Sequence, residues 1–472
     1  MRKTKIVCTI GPACDNEETL SQLCQAGMNV ARLNFSHGTH EEQLKRIETI
    51  KAVRNKLKLP IAIMLDTKGP EYRIGTFADG KVELNPGAEF TLTTEDITGD
   101  ETRVSVNYKK LAEEMNAGDE ILLNDGLIKF KVLSTTETDI VCEVVEGGTL
   151  SNRKSMSFPG KVISQPYLSE QDKQDILFGI ENGVDFIACS FVSLRQDLID
   201  VNQFLKEHGG SGIELIAKIE NQSGYDNIED ICKECSGIMV ARGDMGVEVP
   251  FERLPAIQKD MIFKCRMMGK RVITATEMLE SMIHNPRPTR AETSDVANAV
   301  YDGSSAIMLS GETAAGDYPV EAVRTMALIA EETENNIDYK KQFYNYENVM
   351  KNETDAISHA TCGMAMDLNA KAIVACTLSG LTARLVSRFR CPVDIIGMTT
   401  NEVTWRRLAL SWGVIPKMCE VYPSTEVLFY HAKKIAEDTL MPEEEGVIVI
   451  TGGIANGESG NTNQIRIEHI KP

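Results

Sequence analysis

Eight short apolar runs, each followed by polar or charged residues, constrain the fold of this chain more than any other feature of its sequence. A strand that is almost continuously apolar is buried on both faces, as strands are in a parallel sheet. Helical stretches separate the runs, and eight strand–helix units over roughly 250 residues are expected for a (β/α)8 barrel. The runs are KIVCTIG, MNVARLNFS, IAIMLDTKG, DFIACSFV, IELIAKIEN, GIMVARGD, RVITATE and AIMLSGE.

Two other blocks of the sequence are predicted to form separate domains. Residues 71–159 contain short alternating segments and many turn residues, which predict a small inserted all-β domain of the β-barrel type. After residue 345 strand and helix patterns alternate again, which predicts an open α/β domain. The sequence therefore predicts an α/β protein with a (β/α)8 TIM barrel over 1–70 and 160–345, the inserted domain over 71–159, and a C-terminal α/β domain over 346–472.

The net charge of −19 over 472 residues speaks against binding to nucleic acid or to an anionic membrane, because both need a cationic surface. It does not exclude anionic substrates, since a local cluster of Arg, Lys and metal can override the global charge. No apolar run approaches the roughly 18 residues that span a bilayer. The start, MRKTKIVCTIGP, has no signal-peptide pattern. Twelve scattered cysteines, many within apolar runs, are typical of a reduced, cytoplasmic protein.

Polar residues at the ends of the runs are candidates for an active site, because the C-terminal strand ends of a barrel converge on the face where active sites lie. The alternative is that strand ends are polar only because they lead into loops. Lys218 and Glu220 speak against it, since they lie on the same side of a strand within an otherwise apolar run. The strand-end residues are Asn34, Ser36, Asp66, Lys68, Lys218, Glu220, Arg242, Asp244, Thr276, Glu277, Ser310 and Glu312.

Three of these residues suggest phosphate chemistry. Glu220 and Asp244 each follow an apolar strand, and two carboxylates with open positions suit magnesium, which keeps waters and takes substrate oxygens. Two unrelated salt-bridge partners are the alternative. Lys218 beside them could neutralise a phosphoryl group during transfer. Arg32 and Arg73 could add bidentate donors, although each taken alone is more often a surface residue.

Two loops could bind anions through backbone N–H groups. RGDMG at 242–246 follows a strand and precedes a helix, which suits a carboxylate. TLSGLTAR at 377–384 opens a helix, which suits a phosphate, and ordinary helix capping is the alternative there. The candidate effector residues in this second loop are Thr377, Ser379, Gly380 and Thr382.

Ten sequence segments are informative through their order and spacing. They are TKIVCTIGP, MNVARLNFSHG, LDTKGPEYR, NDGLI, LSEQDKQDI, AKIEN, GIMVARGDMGVEVP, ITATEMLESM, NPRPTRAETSDVANAV and LSGETAAGDYP. Together they resemble the pyruvate kinase family along essentially the whole chain. The resemblance implies the three-part architecture described above and a glycolytic enzyme that transfers the phosphoryl group of phosphoenolpyruvate to ADP, giving pyruvate and ATP. It also implies magnesium or manganese, potassium, a homotetramer and a phosphorylated allosteric effector.

Matching motifs imply a role for each site residue. Catalysis would rest on Lys218, Thr276, Arg32 and Arg73, with Thr276 helping to protonate the enolate carbon through water. Glu220 and Asp244 would hold magnesium, and potassium would be held by Asn34, Ser36, Asp66 and Thr67. Phosphoenolpyruvate would contact Arg32, Lys218, Ala241, Arg242, Gly243, Asp244 and Thr276. The nucleotide would contact Arg32, Asn34, His37, Arg73 and Lys154, and Lys154 would lie with Asp125 in a lid formed by the inserted domain.

Departures from the family pattern refine these expectations. Glu71 predicts potassium activation, because potassium-independent members carry a lysine there, whose ammonium could replace the monovalent cation. Glu277 stands where Gln is usual and adds possible negative charge beside Thr276. Leu378 and Leu381 replace basic residues of relatives activated by a sugar bisphosphate, which argues against fructose 1,6-bisphosphate. The sequence ends at Pro472, from which we expect no extra C-terminal domain.

Two other functions stay open at this level. A non-catalytic regulatory protein on the same fold would bind metabolites through its third domain, but the intact site residues argue against it. A metal-dependent lyase or mutase acting on pyruvate enolate would also use paired carboxylates and magnesium. Such an enzyme needs no ADP, so ADP dependence separates it from a kinase.

Overall fold

The computed structural model describes residues 2–161, 163–345, 352–453 and 462–471. The first elements are β1 (Lys5–Thr9), α1 (Glu17–Ala26), β2 (Val30–Asn34), α2 (His40–Leu57) and β3 (Ala62–Asp66). The side chain of Asn16 caps α1, and Gly27 ends it with a φ of +123° that favours glycine. These three strands are the first three runs of the predicted barrel.

The inserted segment is an all-β domain, as predicted. Its elements are β4 (Tyr72–Arg73), β5 (Lys81–Leu84), β6 (Glu89–Thr93), β7 (Arg103–Ser105), α3 (Leu111–Glu114), β8 (Glu120–Leu123), β9 (Ile128–Thr135), β10 (Asp139–Glu146), β11 (Gly148–Ser151) and β12 (Ser155–Ser157). The sheet order is β4-β12-β8-β9-β10-β6-β7, with β11 paired to β5, and the whole forms a curled half-barrel. We call the segment from β4 to β12 the lid.

The barrel resumes after the lid. The elements are α4 (Glu170–Glu181), β13 (Phe186–Cys189), α5 (Arg195–Glu207), β14 (Glu214–Ile219), α6 (Gln222–Asp226), α7 (Ile228–Ile231), β15 (Gly237–Ala241), α8 (Arg242–Glu248), α9 (Leu254–Met267), β16 (Arg271–Ala275), α10 (Arg290–Tyr301), β17 (Ala306–Leu309), α11 (Gly311–Ala314), α12 (Pro319–Asn335) and α13 (Tyr339–Asn345). Short 3-10 turns occupy Phe251–Arg253 and Glu280–Ile283. The strands close in the order β1-β17-β16-β15-β14-β13-β3-β2, which confirms the (β/α)8 barrel.

Apolar side chains fill the inside of the barrel. They come from alternate positions of its strands, because successive side chains of a strand point to opposite faces. A larger apolar layer packs the outer face against the helices. Since the interior is filled, the polar strand-end residues gather above it on the C-terminal face. The inner residues are Val7, Val30, Ala62, Met64, Phe186, Ala188, Ile216, Met239, Ile273, Ala275, Ala306 and Met308.

The third domain is an α/β domain, as predicted, and it is built on a five-stranded mixed sheet. Its described elements are α14 (Glu353–Asp367), β18 (Ala372–Cys376), α15 (Leu381–Ser387), β19 (Asp394–Thr399), α16 (Glu402–Leu408), β20 (Val414–Met418), α17 (Thr425–Leu440), β21 (Gly446–Gly453) and β22 (Thr462–Ile470). The strand order is β20-β19-β18-β21-β22, and the pairing of β21 with β22 is antiparallel. None of the helices in the described ranges is long and apolar enough to cross a membrane.

Buried ion pairs join the barrel to the third domain. Asp185, immediately before β13, is fully buried. Its carboxylate accepts hydrogen bonds from Arg406 Nε of α16 (2.8 Å) and from the Ile63 N–H (2.9 Å), and lies 3.8 Å from Arg54 Nη1. Glu214, the first residue of β14, is surrounded by Arg271, Arg384 and Arg407.

Asp185→Ala should destabilise the protein by about 3 kcal/mol, because it leaves the guanidinium of Arg406 without its buried partner. Thermal and urea unfolding followed by circular dichroism would measure the change. Glu444→Ala is the matched control, since it removes the exposed pair with Lys371 (2.9 Å). The control should leave stability nearly unchanged, because exposed ion pairs contribute little. Equal effects of the two substitutions would contradict the importance of the buried pair.

Candidate active site

Lys218 is the centre of an ionic cluster at the C-terminal end of β14. Its Nζ donates a hydrogen bond to Ser190 Oγ (2.7 Å) and lies 2.9 Å from Glu220 Oε1 and 3.1 Å from Asp66 Oδ1. Burial by itself lowers the pKa of an ammonium, but Asp66 and Glu220 outweigh it and raise the pKa of Lys218. Lys218 therefore carries a fixed positive charge at the strand ends.

Asp66, the last residue of β3, bridges two cations. Its Oδ2 accepts from Arg32 Nε on the neighbouring strand β2 (2.5 Å), and its Oδ1 faces Lys218. Burial raises the pKa of an isolated carboxyl, but Arg32 and Lys218 outweigh burial and lower the pKa of Asp66. Arg32 Nη1 also donates to Thr9 Oγ1 (2.8 Å), which fixes the direction of the guanidinium.

Glu220 has the properties of a metal ligand. It is buried, and its Oε2 accepts from the Phe191 N–H (2.5 Å). Its Oε1 lies 2.9 Å from Lys218 Nζ, which is its only partner among the described residues. Burial raises the pKa of Glu220 to about 7, opposed by Lys218 and assisted by nearby Asp244. A divalent cation would favour the charged carboxylate, so Glu220 and the exposed Asp244 fit the predicted magnesium site.

Thr276 and Glu277 follow β16 in a strained turn. Their φ angles of +68° and +53° lie in the left-handed region, which disfavours a β-branched residue. Strain of this kind costs about 1–3 kcal/mol per residue and persists only where surrounding contacts hold it. The Thr276 hydroxyl donates to the Ala275 carbonyl (2.6 Å) and accepts from the Gly243 N–H (2.7 Å). Thr276 is thereby fixed beside the first turn of α8.

The side chain of Arg242 holds this turn in place. Its Nη2 donates to the carbonyls of Thr276 (2.6 Å) and Glu277 (3.1 Å), and its Nη1 donates to Asp295 Oδ1 (2.7 Å). The guanidinium is thus occupied by protein groups. A contribution of Arg242 to substrate binding would come from its backbone, together with Ala241 and the residues that follow.

The four residues predicted to bind potassium lie at the ends of β2 and β3. These strands are neighbours, and Asn34 pairs with Asp66 in the register. Asn34 Oδ1 accepts from the Ser36 N–H (3.1 Å), while Thr67 is hydrogen-bonded to the end of β13. The structure therefore gathers this set in one place. His37, predicted to contact the nucleotide, lies in the same turn.

A cleft of about 700 Å³ lies between the lid and the barrel loops. Arg73 and Lys154 line it from the lid side, and Asp244 lines it from the barrel. Arg73 is held by Glu71, whose carboxylate accepts from Nε (2.9 Å) and Nη2 (2.5 Å). Burial tends to raise the pKa of Glu71, but Arg73 and Lys68 outweigh it and lower the pKa. Glu71 is therefore charged and restrains a predicted phosphate-binding arginine.

The predicted effector residues lie together where β18 leads into α15. Gly380 precedes α15 with a φ of +84°, which favours glycine, and its N–H donates to Thr377 Oγ1 (3.0 Å). The Thr382 hydroxyl lies 2.6 Å from that of Thr462 on β22. Ser379 is exposed between them. None of these side chains caps α15, because its N-cap is Gly380 and the hydroxyls of Thr377 and Thr382 bond elsewhere.

Two groups of the site were missed by sequence reasoning. Ser190 follows β13 and contacts Lys218, and the polar end of the run DFIACSFV is a signal that points to it. Phe191 holds Glu220 through its backbone N–H and has a φ of +56°. No residue-type signal marks a backbone donor, because every residue except proline has one.

The arrangement supplies positioned positive charge and a carboxylate pair suited to a divalent cation. Phosphoryl transfer depends on positioning and charge neutralisation more than on covalent catalysis. Fold and site together therefore define a phosphotransferase built on a (β/α)8 barrel.

Comparisons with known proteins identify the family. Residues 1–323 match the pyruvate kinase barrel domain, and residues 355–468 match the pyruvate kinase alpha/beta domain. The pyruvate kinase of Clostridium perfringens is 46% identical, with 100% of both chains covered, and that of Staphylococcus saprophyticus is 48% identical, with 100% of this chain and 81% of the relative covered. The crystal structure of a pyruvate kinase from Cryptosporidium parvum has a TM-score of 0.94 at 39% identity and covers 99% of this chain and 96% of that one.

The chain belongs to the pyruvate kinase family. Its reaction is the transfer of the phosphoryl group of phosphoenolpyruvate to ADP, which gives pyruvate and ATP.

Arg242→Lys should lower kcat by at least about tenfold. A lysine ammonium cannot form the planar set of hydrogen bonds that the guanidinium makes to two carbonyls and a carboxylate. The turn with Thr276 would then shift, and small displacements at a reacting centre lower the rate. Steady-state kinetics with phosphoenolpyruvate and ADP would measure the loss. Arg195→Lys is the control, since Arg195 forms an exposed pair with Glu234. We expect the control to keep the parent kcat. A variant at Arg242 with unchanged kcat would contradict the role of its side chain in holding Thr276.

Proposed function

We propose that phosphoryl transfer takes place at the ends of the barrel strands, with Lys218 as the cation that stabilises the transferring group. The observation that carries this proposal is the buried cluster of Lys218, Asp66 and Glu220, because it keeps an ammonium charged at the barrel mouth. Arg32, aimed by Asp66 and Thr9, adds a second donor for phosphoryl oxygens. Both cations stabilise charge without rearranging during the reaction.

Glu220 and Asp244 hold magnesium, or manganese in its place, in this proposal. The burial of Glu220, whose Oε1 contacts only Lys218 among the described residues, and the proximity of Asp244 support the pair. Two carboxylates leave positions free for substrate oxygens and water, as magnesium requires. When bound, the metal would neutralise charge on the phosphoryl oxygens.

Thr276 and the backbone from Ala241 to Asp244 hold the pyruvate part of the substrate. The carboxylate of phosphoenolpyruvate would lie against N–H groups at the start of α8. Thr276, fixed by Gly243 and by the neighbouring carbonyls, would orient the water that delivers a proton to the enolate carbon. Enolate formation and proton delivery thus occur on the same side of the barrel mouth.

The nucleotide lies between lid and barrel, in contact with Arg73 and Lys154 on the lid side. These side chains line the cleft opposite Asp244. Arg73 would exchange its bidentate contact with Glu71 for phosphate oxygens, since a carboxylate and a phosphate each offer two oxygens to the guanidinium fork. Asn34, His37 and Arg32 would complete the contacts from the barrel.

Potassium binds to Asn34, Ser36, Asp66 and Thr67 and activates the enzyme. The adjacency of these residues at the ends of β2 and β3 supports the site. Glu71 supports the requirement, because its carboxylate supplies no positive charge in place of the cation.

The wider organisation is also proposed from family membership. The division at residues 70, 160 and 346 would separate barrel, lid and third domain. The loop with Thr377, Ser379, Gly380 and Thr382 would bind a phosphorylated effector, and the chain would assemble as a homotetramer. Twelve free cysteines, eleven of them buried within the described residues, support a reducing cytoplasm.

Pyruvate formation from phosphoenolpyruvate with magnesium should require ADP and rise strongly with potassium. Coupling to lactate dehydrogenase measures the rate, and sodium at equal ionic strength controls for salt. Turnover without ADP would favour a lyase or mutase. Turnover that is indifferent to potassium would contradict the monovalent-cation site and leave phosphoryl transfer intact.

Glu71→Lys should raise the potassium-free rate at least about tenfold, because its ammonium supplies positive charge where the cation otherwise does so. Glu71→Gln is the matched control, since it removes the negative charge without adding a positive one. We expect the control to stay dependent on potassium. If both variants gain potassium-free activity equally, release of Arg73 rather than the new ammonium is responsible.

A further inference from the structure

Ser190 has no part in the proposed function, although its hydroxyl touches three of the proposed site residues. It follows β13 and is 1% exposed. Its Oγ accepts from Lys218 Nζ (2.7 Å), donates to the Thr67 carbonyl (2.7 Å) and lies 3.3 Å from Asp66 Oδ1. One hydroxyl therefore joins the phosphoryl-transfer lysine to two of the proposed potassium ligands.

The position of this hydroxyl is determined by its surroundings. The Ser190 N–H donates to Thr67 Oγ1 (3.2 Å), and the Ser190 carbonyl accepts from the hydroxyl of Tyr167 (2.6 Å). A Cβ built at Gly69 would lie only 2.8 Å from Ser190 Cβ, so the packing is close. A hydroxyl has a single proton. Because that proton goes to Thr67 or Asp66, a lone pair stays directed at Lys218.

Lys218 depends on this third acceptor for its direction. Its two carboxylate partners lie at similar distances, 2.9 Å to Glu220 and 3.1 Å to Asp66. Both carboxylates are shared in the proposed function, Glu220 with magnesium and Asp66 with potassium. A bound cation weakens the attraction that a shared carboxylate exerts on the ammonium. Ser190 is neutral and is bonded to the same strand end as Asp66 and Thr67, so it holds the ammonium while these charges are neutralised.

We propose that Ser190 is a positioning residue that couples occupancy of the monovalent-cation site to the placement of Lys218. The inference rests on the proposed function, since it takes Asp66 and Thr67 as cation ligands. Cation binding orders the Thr67 carbonyl, the carbonyl orients the Ser190 hydroxyl, and the hydroxyl places the ammonium. By linkage, loss of the hydroxyl must also weaken cation binding to the state in which Lys218 is placed, so more potassium is needed for half-maximal activation.

Ser190→Ala tests the coupling, because it removes the hydroxyl and keeps the Cβ. We expect kcat to fall at least about tenfold, the cost typical of a displaced group at a reacting centre. The KM for phosphoenolpyruvate should stay within about threefold, and the potassium concentration for half-maximal activation should rise at least about fivefold. Steady-state kinetics over a potassium titration, with magnesium saturating, gives all three quantities.

Ser304→Ala is the matched control. Ser304 is also fully buried in the barrel, where its hydroxyl lies 2.7 Å from that of Thr274 and contacts none of the proposed site residues. It should leave kcat and the potassium response unchanged. Melting temperatures of both variants separate a stability effect, which the two serines can share, from the potassium response, which only Ser190 should alter.

The outcomes separate the inference from the function beneath it. A potassium-activated parent with an unchanged Ser190→Ala variant overturns the inference and leaves the function intact. If Ser190→Ala lowers kcat but leaves the potassium concentration for half-maximal activation unchanged, the coupling is also overturned. A parent that is indifferent to potassium overturns both the proposed potassium site and the coupling, and a parent without ADP-dependent turnover shows that the function itself has failed.

Discussion

The ammonium of Lys218 has to remain charged although it is buried, and most of the site follows from how the barrel meets that requirement. Taking an ammonium out of water costs several kcal/mol unless opposite charges and hydrogen-bond acceptors surround it. Strand order supplies them, because β3, β13 and β14 are neighbours whose ends converge. Asp66, Ser190 and Glu220 thus enclose one Nζ, and Asp66 in turn aims Arg32. The proposed cation sites would share these carboxylates, which would link metal binding to the placement of the lysine.

Backbone strain marks the turn that follows β16, where the proposed function places proton delivery. Thr276 adopts a backbone conformation that a threonine disfavours, and the guanidinium of Arg242 holds it there. The guanidinium of Arg242 is occupied by the carbonyls of this turn and by Asp295, so the predicted substrate contact of Arg242 falls to its backbone. Strained residues of this kind persist at functional sites because the surrounding contacts over-determine them. A similar restraint is found at the start of β4, where Glu71 holds Arg73 at the edge of the cleft.

Much of this was predictable from the chain alone. The barrel, the inserted all-β domain and the third domain follow from the spacing and type of the apolar runs, because hydrophobic periodicity reports which faces are buried. Lys218, Glu220 and Asp66 were identifiable because polar residues at the ends of buried strands converge in a barrel. Ser190 and Phe191 were not identified, since a small hydroxyl in a buried run and a backbone N–H leave little signal. The contacts of the Arg242 side chain could not be predicted from the sequence for another reason. The residues that it contacts lie 33 to 53 positions away in the chain.

The sequence by itself determined the alternation of buried strands and helices, the three-part division it predicts, and the identity of the charged groups at the strand ends. Side-chain type and the local spacing of apolar residues carry that information, because burial and backbone hydrogen bonding favour particular side chains at each position of a strand or helix. The tertiary structure alone decided which charges meet. Lys218 is paired with Asp66 and hydrogen-bonded to Ser190 only because the register of parallel strands brings distant segments to one level. That register is set by closure of the whole barrel, to which every strand contributes and which no single segment encodes.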